Sequence, residues 1–575
     1  MIILLYIKIK HLFLLIIGVE CMLKYRVINL NLKKGAIINK LEKMSIDVLN
    51  DNPVVYIYYN LNEKIIYVGA TNGFSRRHNE HLNEINPKVD YKNYTNCLVI
   101  YASLFDTSSI LDLESLILNY MIAESDLTKF IFANGNSGQT ELVYKNKEEI
   151  LTAVFYKLWK NELYGLGLVH NPKIEELRER LLFKYSPFKQ LSSKQKIIID
   201  EIEKNKTDKF LIEAPAGSGK SVIFTNLAFS LAESNSNLSI GLITTGNLTK
   251  QFNLIFKSIG LSEKLKAQTG SQIIMDARKN NKRFDIIIVD EAHKLKKYYP
   301  KGQPNARRHL REGDEEISLL EKITDGLVLL YDPYQGIKPQ NISPSEIRKL
   351  TKNYVNMQLM QQFRIGGNSS FTGEDFLNGI LYGLQLSDDR NFNSDVFKGE
   401  YFRIVDSLEE VVNYVDDYSH AYPKTINRVI AGYCREWVSN KKKKVNKGKK
   451  YEELPYDWHE GNILKRWNST DVDWVKKPNS ENEIGSIHAI QGYDLNYSGV
   501  IIGNDLTVKD QKIMAVLENY KDIGGIPLKE GFNLSELTDY ILNIYYVLLS
   551  RGIDGCAVYF EDKSVEKLFK ERVGL

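Results

Sequence analysis

The apolar positions change their period several times along the chain, and each change predicts an element. VVYIYY (54–59) and KIIYVGA (64–70) are short runs rich in tyrosine and β-branched residues, separated by Asn-Leu-Asn-Glu, which predicts a β-hairpin. A polar helix follows, then the strand NCLVIYAS. The amphipathic helix SSILDLESLILNYMIAE comes next, its apolar residues recurring at i, i+3 and i+4. FIFANGNSGQT returns to a short strand and a Gly/Asn loop, closing a compact α/β module assigned to 50–150. A helical connector is expected over 151–190, written in EEILTAVFYKLWKNELYGLGL and KIEELRERLLFKY.

After Ser192 the texture becomes strand–helix alternation. FLIEA, LSIGLITT, FDIIIVDEA and LVLLYD are continuous apolar runs, which belong in a parallel sheet covered on both faces. RVIAGYC, SGVIIGN and GCAVYF repeat the texture, so the second half divides into lobes at 191–342 and 343–575, with a basic insertion near 440–480. The fold class expected is α/β: a small mixed module followed by two parallel-sheet lobes.

Composition narrows this picture without redirecting it. At 575 residues the chain needs several cores, and 43% hydrophobic with 26% charged residues is ordinary for a globular protein. A net charge of +4 excludes a uniformly basic binder but permits local basic surfaces. Four scattered cysteines argue against a disulfide framework or zinc site and fit a reducing cytoplasm. In the apolar N-terminal segment 1–49, Lys8, Lys10 and His11 interrupt the run. Leu12–Val19 is too short to span a bilayer, so no membrane is expected; an over-called start before Met22 or Met44 is preferred to an anchor.

Two stretches carry chemistry directly. APAGSGKS (Ala214, Pro215, Ala216, Gly217, Ser218, Gly219, Lys220, Ser221) lies between a strand and a helix, the setting of a phosphate-binding loop. There Lys220 would reach the β/γ-phosphates of ATP and Ser221 would hold Mg²⁺. FDIIIVDEAH places Asp290 and Glu291 at a strand's carboxyl end, suited to metal coordination and water activation respectively. KKKKVNKGKK (441–450) could meet phosphates or be a solvated loop; KLKKYYPKGQPNARRHLREGDEE, with Tyr298 and Tyr299, could line a strand channel or be a surface insertion.

A series of motifs between Leu191 and Phe560 resembles superfamily-one helicases. Gln195 stands where that family contacts adenine, and Thr245 and Asn247 in TTGNLTKQF where it grips a single strand. Asp332 and Gln335 in LLYDPYQ stand where it senses the γ-phosphate. Arg364 in QQFRIGG and Arg551 in YYVLLSRG match arginines that reach the transferred phosphate. SIHAIQGYDLNYSGVIIG matches the coupling motif, with His488, Gln491 and Gly492, and Asp494 where Glu is more usual. The local wording looks most like the Schlafen-group-three-like helicase domain of bacterial proteins. The resemblance implies ATP between two RecA-like lobes and nucleic acid across their top.

The first module, from Pro53 to Tyr144, resembles the GIY-YIG nucleases. Val54-Val55-Tyr56 and Tyr67-Val68-Gly69 stand for the two name-giving elements, with Val54 in place of the first glycine. Arg77 and His81 lie four apart on one helix face. Glu114 follows, and Asn134 or Asn136 from the closing loop. The resemblance implies that Tyr56, beside Tyr67, activates or orients water, Arg77 neutralises the scissile phosphate, and Glu114 binds a second Mg²⁺. The whole chain then reads as a metal-dependent endonuclease joined to an ATP-driven motor, working on DNA or RNA in defence or DNA processing. An ATP-gated binding switch with an inactive nuclease-like module is the alternative.

Overall fold

The computed structural model describes residues 25–32, 49–83, 91–134, 142–178, 180–235, 237–297, 315–365, 371–471, 473–522 and 533–575. The chain divides into two compact units. The first comprises 1–203, 225–238 and 249–267, and the second 204–224, 239–248 and 268–575. The apolar N-terminal run, Asn136 and the Tyr298–Tyr299 segment lie outside the described residues. No described helix is long and apolar enough to cross a membrane. Cys97, Cys434 and Cys556 are buried free thiols.

In the first unit the elements are β1 (Arg26–Asn31), β2 (Val54–Asn60), β3 (Ile65–Thr71), α1 (Phe74–Asn83), β4 (Asn96–Tyr101), α2 (Thr107–Ala123) and β5 (Ile131–Phe132). The hairpin β2–β3 forms as its sequence predicts, Tyr56 facing Gly69 and Tyr58 facing Tyr67. The described sheet runs β1-β4-β2-β3-β5, antiparallel except for the β3–β5 pair. β1 corrects the boundary at residue 50: it pairs antiparallel with β4 over its whole length, so the sheet begins inside the segment set apart from the module. Its RVINLN pattern offers three apolar residues, too few to mark a strand without a partner.

α2 departs from the amphipathic expectation. Asp106 and Ser109 close a capping box at its start, and 13 of its 17 residues are buried. The outer face is covered because the connector returns over it. Ser115 Oγ donates to Phe188 O (2.8 Å), Asn119 Nδ2 to the same carbonyl (3.2 Å), and Arg178 Nε to Tyr120 Oη (2.6 Å). The connector's first half is helical as expected. Its second half breaks into turns at Ile174–Leu177 and Leu181–Lys184 instead of running as one helix.

Next come α3 (Ser193–Lys204), β6 (Lys209–Glu213), α4 (Lys220–Ser234), β7 (Ile240–Ile243), α5 (Gly246–Ser258), β8 (Ala267–Gln268), α6 (Gly270–Asn280), β9 (Phe284–Val289), β10 (Thr324–Tyr331) and β11 (Val355–Gln358). Their strand order is β11-β6-β10-β9-β7-β8, and β11, β6, β10, β9 and β7 pair in parallel. β6 and β10 are buried almost throughout, as strands covered on both faces require.

The last lobe holds α7 (Gly373–Gly383), β12 (Phe402–Val405), α8 (Leu408–Ala421), β13 (Arg428–Ala431), β14 (Trp458–Glu460), β15 (Ile463–Trp467), β16 (Glu483–Ser486), β17 (Leu495–Ile502), β18 (Leu506–Lys509), β19 (Lys512–Ala515), α9 (Leu534–Leu549), β20 (Gly552–Phe560) and α10 (Lys563–Val573). The order is β12-β20-β17-β13-β16-β15-β14, all parallel but for β14 against β15, and β18–β19 form a separate hairpin. The basic insertion therefore extends the sheet by two strands. Trp458, Trp467 and Trp474 are at most 1% exposed within its core. Each fully buried large apolar side chain of this kind is worth about 1.5–3 kcal/mol.

Candidate active sites

Side-chain alternation along β2 sends Tyr56 and Tyr58 to one face, and β3 adds Tyr67 beside them. Helical spacing along α1 brings Phe74, His78 and His81 onto the same cluster. Tyr56 Oη lies 3.0 Å from His81 Nε2, and Tyr58 Oη 2.5 Å from His78 Nδ1. His81 stacks on Tyr91, ring centroids 4.3 Å apart. Tyr56 reaches His81 because Gly69, its cross-strand partner, has no side chain. A Cβ there would lie 2.4 Å from Tyr56 Cζ. Val54 is fully buried and packs into the cluster formed by Tyr56, Tyr58 and Phe74. The β2–β3 ladder runs unbroken through its pairing with Thr71.

Electrostatics ties five of the expected residues together. Burial raises the Tyr56 phenol far above its ordinary range, neighbouring Tyr67 and Tyr91 add to this, and Arg77 partly offsets it. Tyr67 is raised by burial and by Glu114, and lowered by hydrogen bonding to Tyr56 and by Arg77. Burial pushes Glu114 up to about 8 and, helped by Arg77 and His78, pushes His81 down to about 4. At neutral pH both are therefore uncharged, and Arg77, ion-paired with Glu80 at 3.0 Å, is the cation of the site. Asn134 is engaged otherwise. Its Oδ1 accepts from Val68 N–H (3.2 Å) and its Nδ2 donates to Val68 O (2.6 Å), pinning the chain after β5 to β3.

Among the described residues no group of three or more His, Cys, Asp or Glu could cage a metal. Glu114 is the carboxyl that could bind a divalent cation here, and it would have to give up its proton to do so. The Tyr58–His78 pair was not singled out from sequence. Its signal is the same two-residue step from Tyr56 and one-turn step from His81.

The candidate nucleotide site lies at the carboxyl ends of β6, β9 and β10. Gly217 and Gly219 take φ of 76° and 85°, which lets the loop turn back on itself. Lys220 Nζ donates to Ala214 O (2.8 Å) and Pro215 O (3.0 Å) and lies 3.7 Å from Asp332. Ser221 Oγ donates to Asp290 Oδ2 at 2.9 Å. Burial, then the adjacent Glu291, raises Asp290. Glu291 is held well below the usual carboxylate range: burial opposes this, but Lys294 (3.4 Å) and His293 (2.8 Å) overcome it. Its left-handed φ of 58° is strained backbone at a functional position. Asp332 accepts from Tyr334 N–H (3.1 Å) and Gln335 Nε2 (2.7 Å). Thr245, Asp290, Glu291, Lys294 and Ser271 share a cavity of about 200 Å³. Nothing is described for the Asn247 side chain.

Arg364 joins the two lobes. Phe363 N–H donates to Gly217 O (2.9 Å), and a Cβ on Gly217 would come 2.8 Å from Arg364 Cβ. Arg364 Nε is 2.7 Å from Asp494 and its Nη1 donates to Ser550 O (3.2 Å). Arg551 Nη1 donates to Tyr493 O at 3.3 Å, so both arginines meet the stretch that follows Gln491 and Gly492. His488 Nε2 is 2.8 Å from Asp522. Gln195 lies in the first unit, where its Oε1 accepts from Ser192 N–H (2.9 Å) and Ser192 Oγ accepts from its own N–H (3.3 Å), a capping box for α3.

Comparison with known proteins agrees with this division. Residues 207–562 match the family described as Schlafen group 3, DNA/RNA helicase domain, and residues 52–121 match the GIY-YIG catalytic domain. An uncharacterized protein of Saccharomyces cerevisiae, YPL245W, is 24% identical over 442 residues, covering 68% of this chain and 88% of its own length. Similar solved structures include Pif1 helicase from Candida albicans, 15% identical, with 66% of this chain and 98% of that chain covered and a TM-score of 0.28. Pif1 helicase from Bacteroides in complex with ADP-AlF3 and ssDNA is 13% identical, with coverages of 64% and 92% and a TM-score of 0.27. The chain belongs to the Schlafen group 3 DNA/RNA helicase family, an ATPase of the helicase class that also carries a GIY-YIG endonuclease domain.

Proposed function

We propose that this protein is a translocase that hydrolyses ATP with Mg²⁺ to move along DNA, and that its first module cuts the DNA by metal-dependent hydrolysis. The observation that carries the motor half is the seat of Arg364, against Gly217 of the phosphate loop and paired with Asp494 of the coupling motif. In this reading Lys220 and the loop amides hold the phosphates, Ser221 and Asp290 hold the metal, and Glu291, kept ionised, orients the attacking water. Arg364 and Arg551 neutralise charge on the transferred phosphoryl group, a contribution of about 10³–10⁵ in rate. Asp332 and Gln335 report its presence, and Gln491 with Gly492 passes the change to lobe two. Gln195 would contact adenine.

In the nuclease half, Tyr56 takes a proton from water while passing its own to neutral His81. A buried phenol cannot serve as a free phenolate, so this exchange gives the base somewhere to send its proton. Arg77 meets the charge growing on the phosphate, Tyr67 orients Tyr56, and Asn134 holds β3 in place. Glu114 would hold the divalent cation that stabilises the leaving oxygen. A motor joined to a cutter suits defence against invading DNA or DNA processing.

The test is ATP turnover and cleavage of labelled DNA by the purified chain. Single-stranded DNA is expected to raise turnover, Lys220→Ala to abolish it, and Glu114→Ala to abolish Mg²⁺-dependent cleavage while leaving turnover in place. Turnover indifferent to nucleic acid would sink the motor reading, and nicking by Glu114→Ala at the wild-type rate would sink the nuclease reading.

A further inference from the structure

The insertion of lobe two carries a surface that none of these roles uses. Between Lys441 and Lys450 the chain places seven lysines and no acidic residue. Six of them, at 441, 442, 444, 447, 449 and 450, are exposed, while Lys443 pairs with Glu436 at 2.6 Å. A run of one sign usually signals a loose solvated loop. Here the loop is built. Asn446, 1% exposed, points inward and donates through Nδ2 to Val438 O (2.7 Å) and Asn440 O (3.0 Å). Asp457 closes the base, accepting from Ser439 N–H (2.9 Å) and Trp467 N–H (2.8 Å). Arg466 locks the far side by donating to Leu454 O at 2.7 Å. Holding like charges in fixed positions is unfavourable in the isolated protein, and a fixed single-sign field favours an anionic partner.

Placement and chemistry name that partner. The loop leaves the carboxyl end of β13, whose parallel neighbour β16 delivers Ser486 and then His488 at the same edge. The Tyr433 and His488 rings are 5.5 Å apart across that edge. Proteins that hold a single strand stack its bases on free aromatic rings. The lysine run has no aromatic residue; just beyond it Tyr451 and Tyr456 pack on the Arg466 guanidinium at 4.9 and 4.0 Å, Tyr456 remaining 43% exposed. Trp458 and Trp467 are buried. Along the run itself the exposed charges are all ammonium groups, which suit phosphates, and a duplex presents phosphates in regular rows with its bases enclosed.

We propose that the Lys441–Lys450 loop is a second nucleic-acid site, gripping the phosphate backbone of a duplex separately from the strand that the lobes hold. It rests on the reading that the chain works on nucleic acid.

The test uses the full chain and a blunt 30-bp DNA duplex, with affinity measured by fluorescence anisotropy between 50 and 300 mM KCl. The variant is Lys441→Gln, Lys442→Gln, Lys444→Gln and Lys447→Gln combined, with the four corresponding Lys→Arg changes as the charge-preserving control. Four lost phosphate contacts at about 0.9 each should lower the slope of log affinity against log salt by about 3–4, and weaken duplex binding by roughly tenfold or more at 150 mM. The Arg control should match the wild type, and ATP turnover at saturating single-stranded DNA should stay unchanged. An unmoved slope with nucleic-acid-stimulated turnover intact would overturn this inference alone; absence of stimulation in the wild type would overturn the function beneath it. An equal loss of single-strand affinity would assign the lysines to the strand channel. Lost binding to phosphatidylserine vesicles with duplex binding preserved would assign them to a lipid surface; both results count against the proposal.

Discussion

His81 and Glu114 titrate in opposite directions, and the nuclease module should show both. The imidazole is pushed down to about 4 by burial, so the unfolded chain binds more protons between that value and 6.5, and stability falls as pH drops through this window. The carboxyl is pushed up to about 8 by burial, so the folded module binds more protons from about 4.5 upward, and stability falls as pH rises towards 8. Glu114→Gln removes the second limb. In EDTA its Tm should exceed the wild type's by roughly 5 °C at pH 8.5 and match it at pH 5, followed by tyrosine fluorescence. The same carboxyl must lose its proton to hold a cation, so Mg²⁺ affinity should climb with pH up to about 8 and then level off. His81→Phe should cut cleavage by about 10²–10⁴ while leaving DNA binding intact, since it would remove the acceptor proposed for the Tyr56 proton. The residue types at these positions were legible in the sequence, because Arg77 and His81 fall on one helix face whatever surrounds them. The burial that keeps His81 neutral was not, since part of it comes from Tyr91, which stacks on the imidazole from a separate turn of chain.

At the scale of elements, the β2–β3 hairpin shows where local pattern suffices. Two tyrosine-rich runs and a polar turn fix the register, and the register puts Gly69 under the Tyr56 ring. Gly69→Ala should therefore cost about 1–3 kcal/mol, read from urea unfolding, and reduce cleavage more than DNA binding as Tyr56 is displaced from His81. β1 shows where local pattern fails. Its six residues become a strand only by pairing with β4 about seventy positions later, and nothing local announces that partner. A chain beginning at Met44 would lose β1 and leave the β4 edge open, so it should aggregate in static light scattering at concentrations where the full chain stays monodisperse. The insertion behaves likewise. Its lysines are plain in the sequence, whereas the strands β14 and β15 that carry them onto the sheet of lobe two are too short to stand out.

At the scale of the whole molecule, the ordered motifs of the second half identify a family because they recur in one sequence order, while their geometry depends on contacts spanning hundreds of residues. Arg364 meets Asp494 and Ser550, neither of which any local periodicity connects to it. Arg364→Ala should lower ATP turnover by about 10³ with little change in ATP affinity, measured by single-turnover kinetics against nucleotide binding. Asp494→Asn leaves the arginine in place but frees it from its tether, so turnover should persist with a weaker response to added DNA. The contact between Phe363 and Gly217 has a mechanical corollary. The loop that would cradle phosphate also bears the main chain of the segment leading into lobe two. A ligand that reshapes that loop would be felt at Phe363 through main chain alone, with no intermediary side chain.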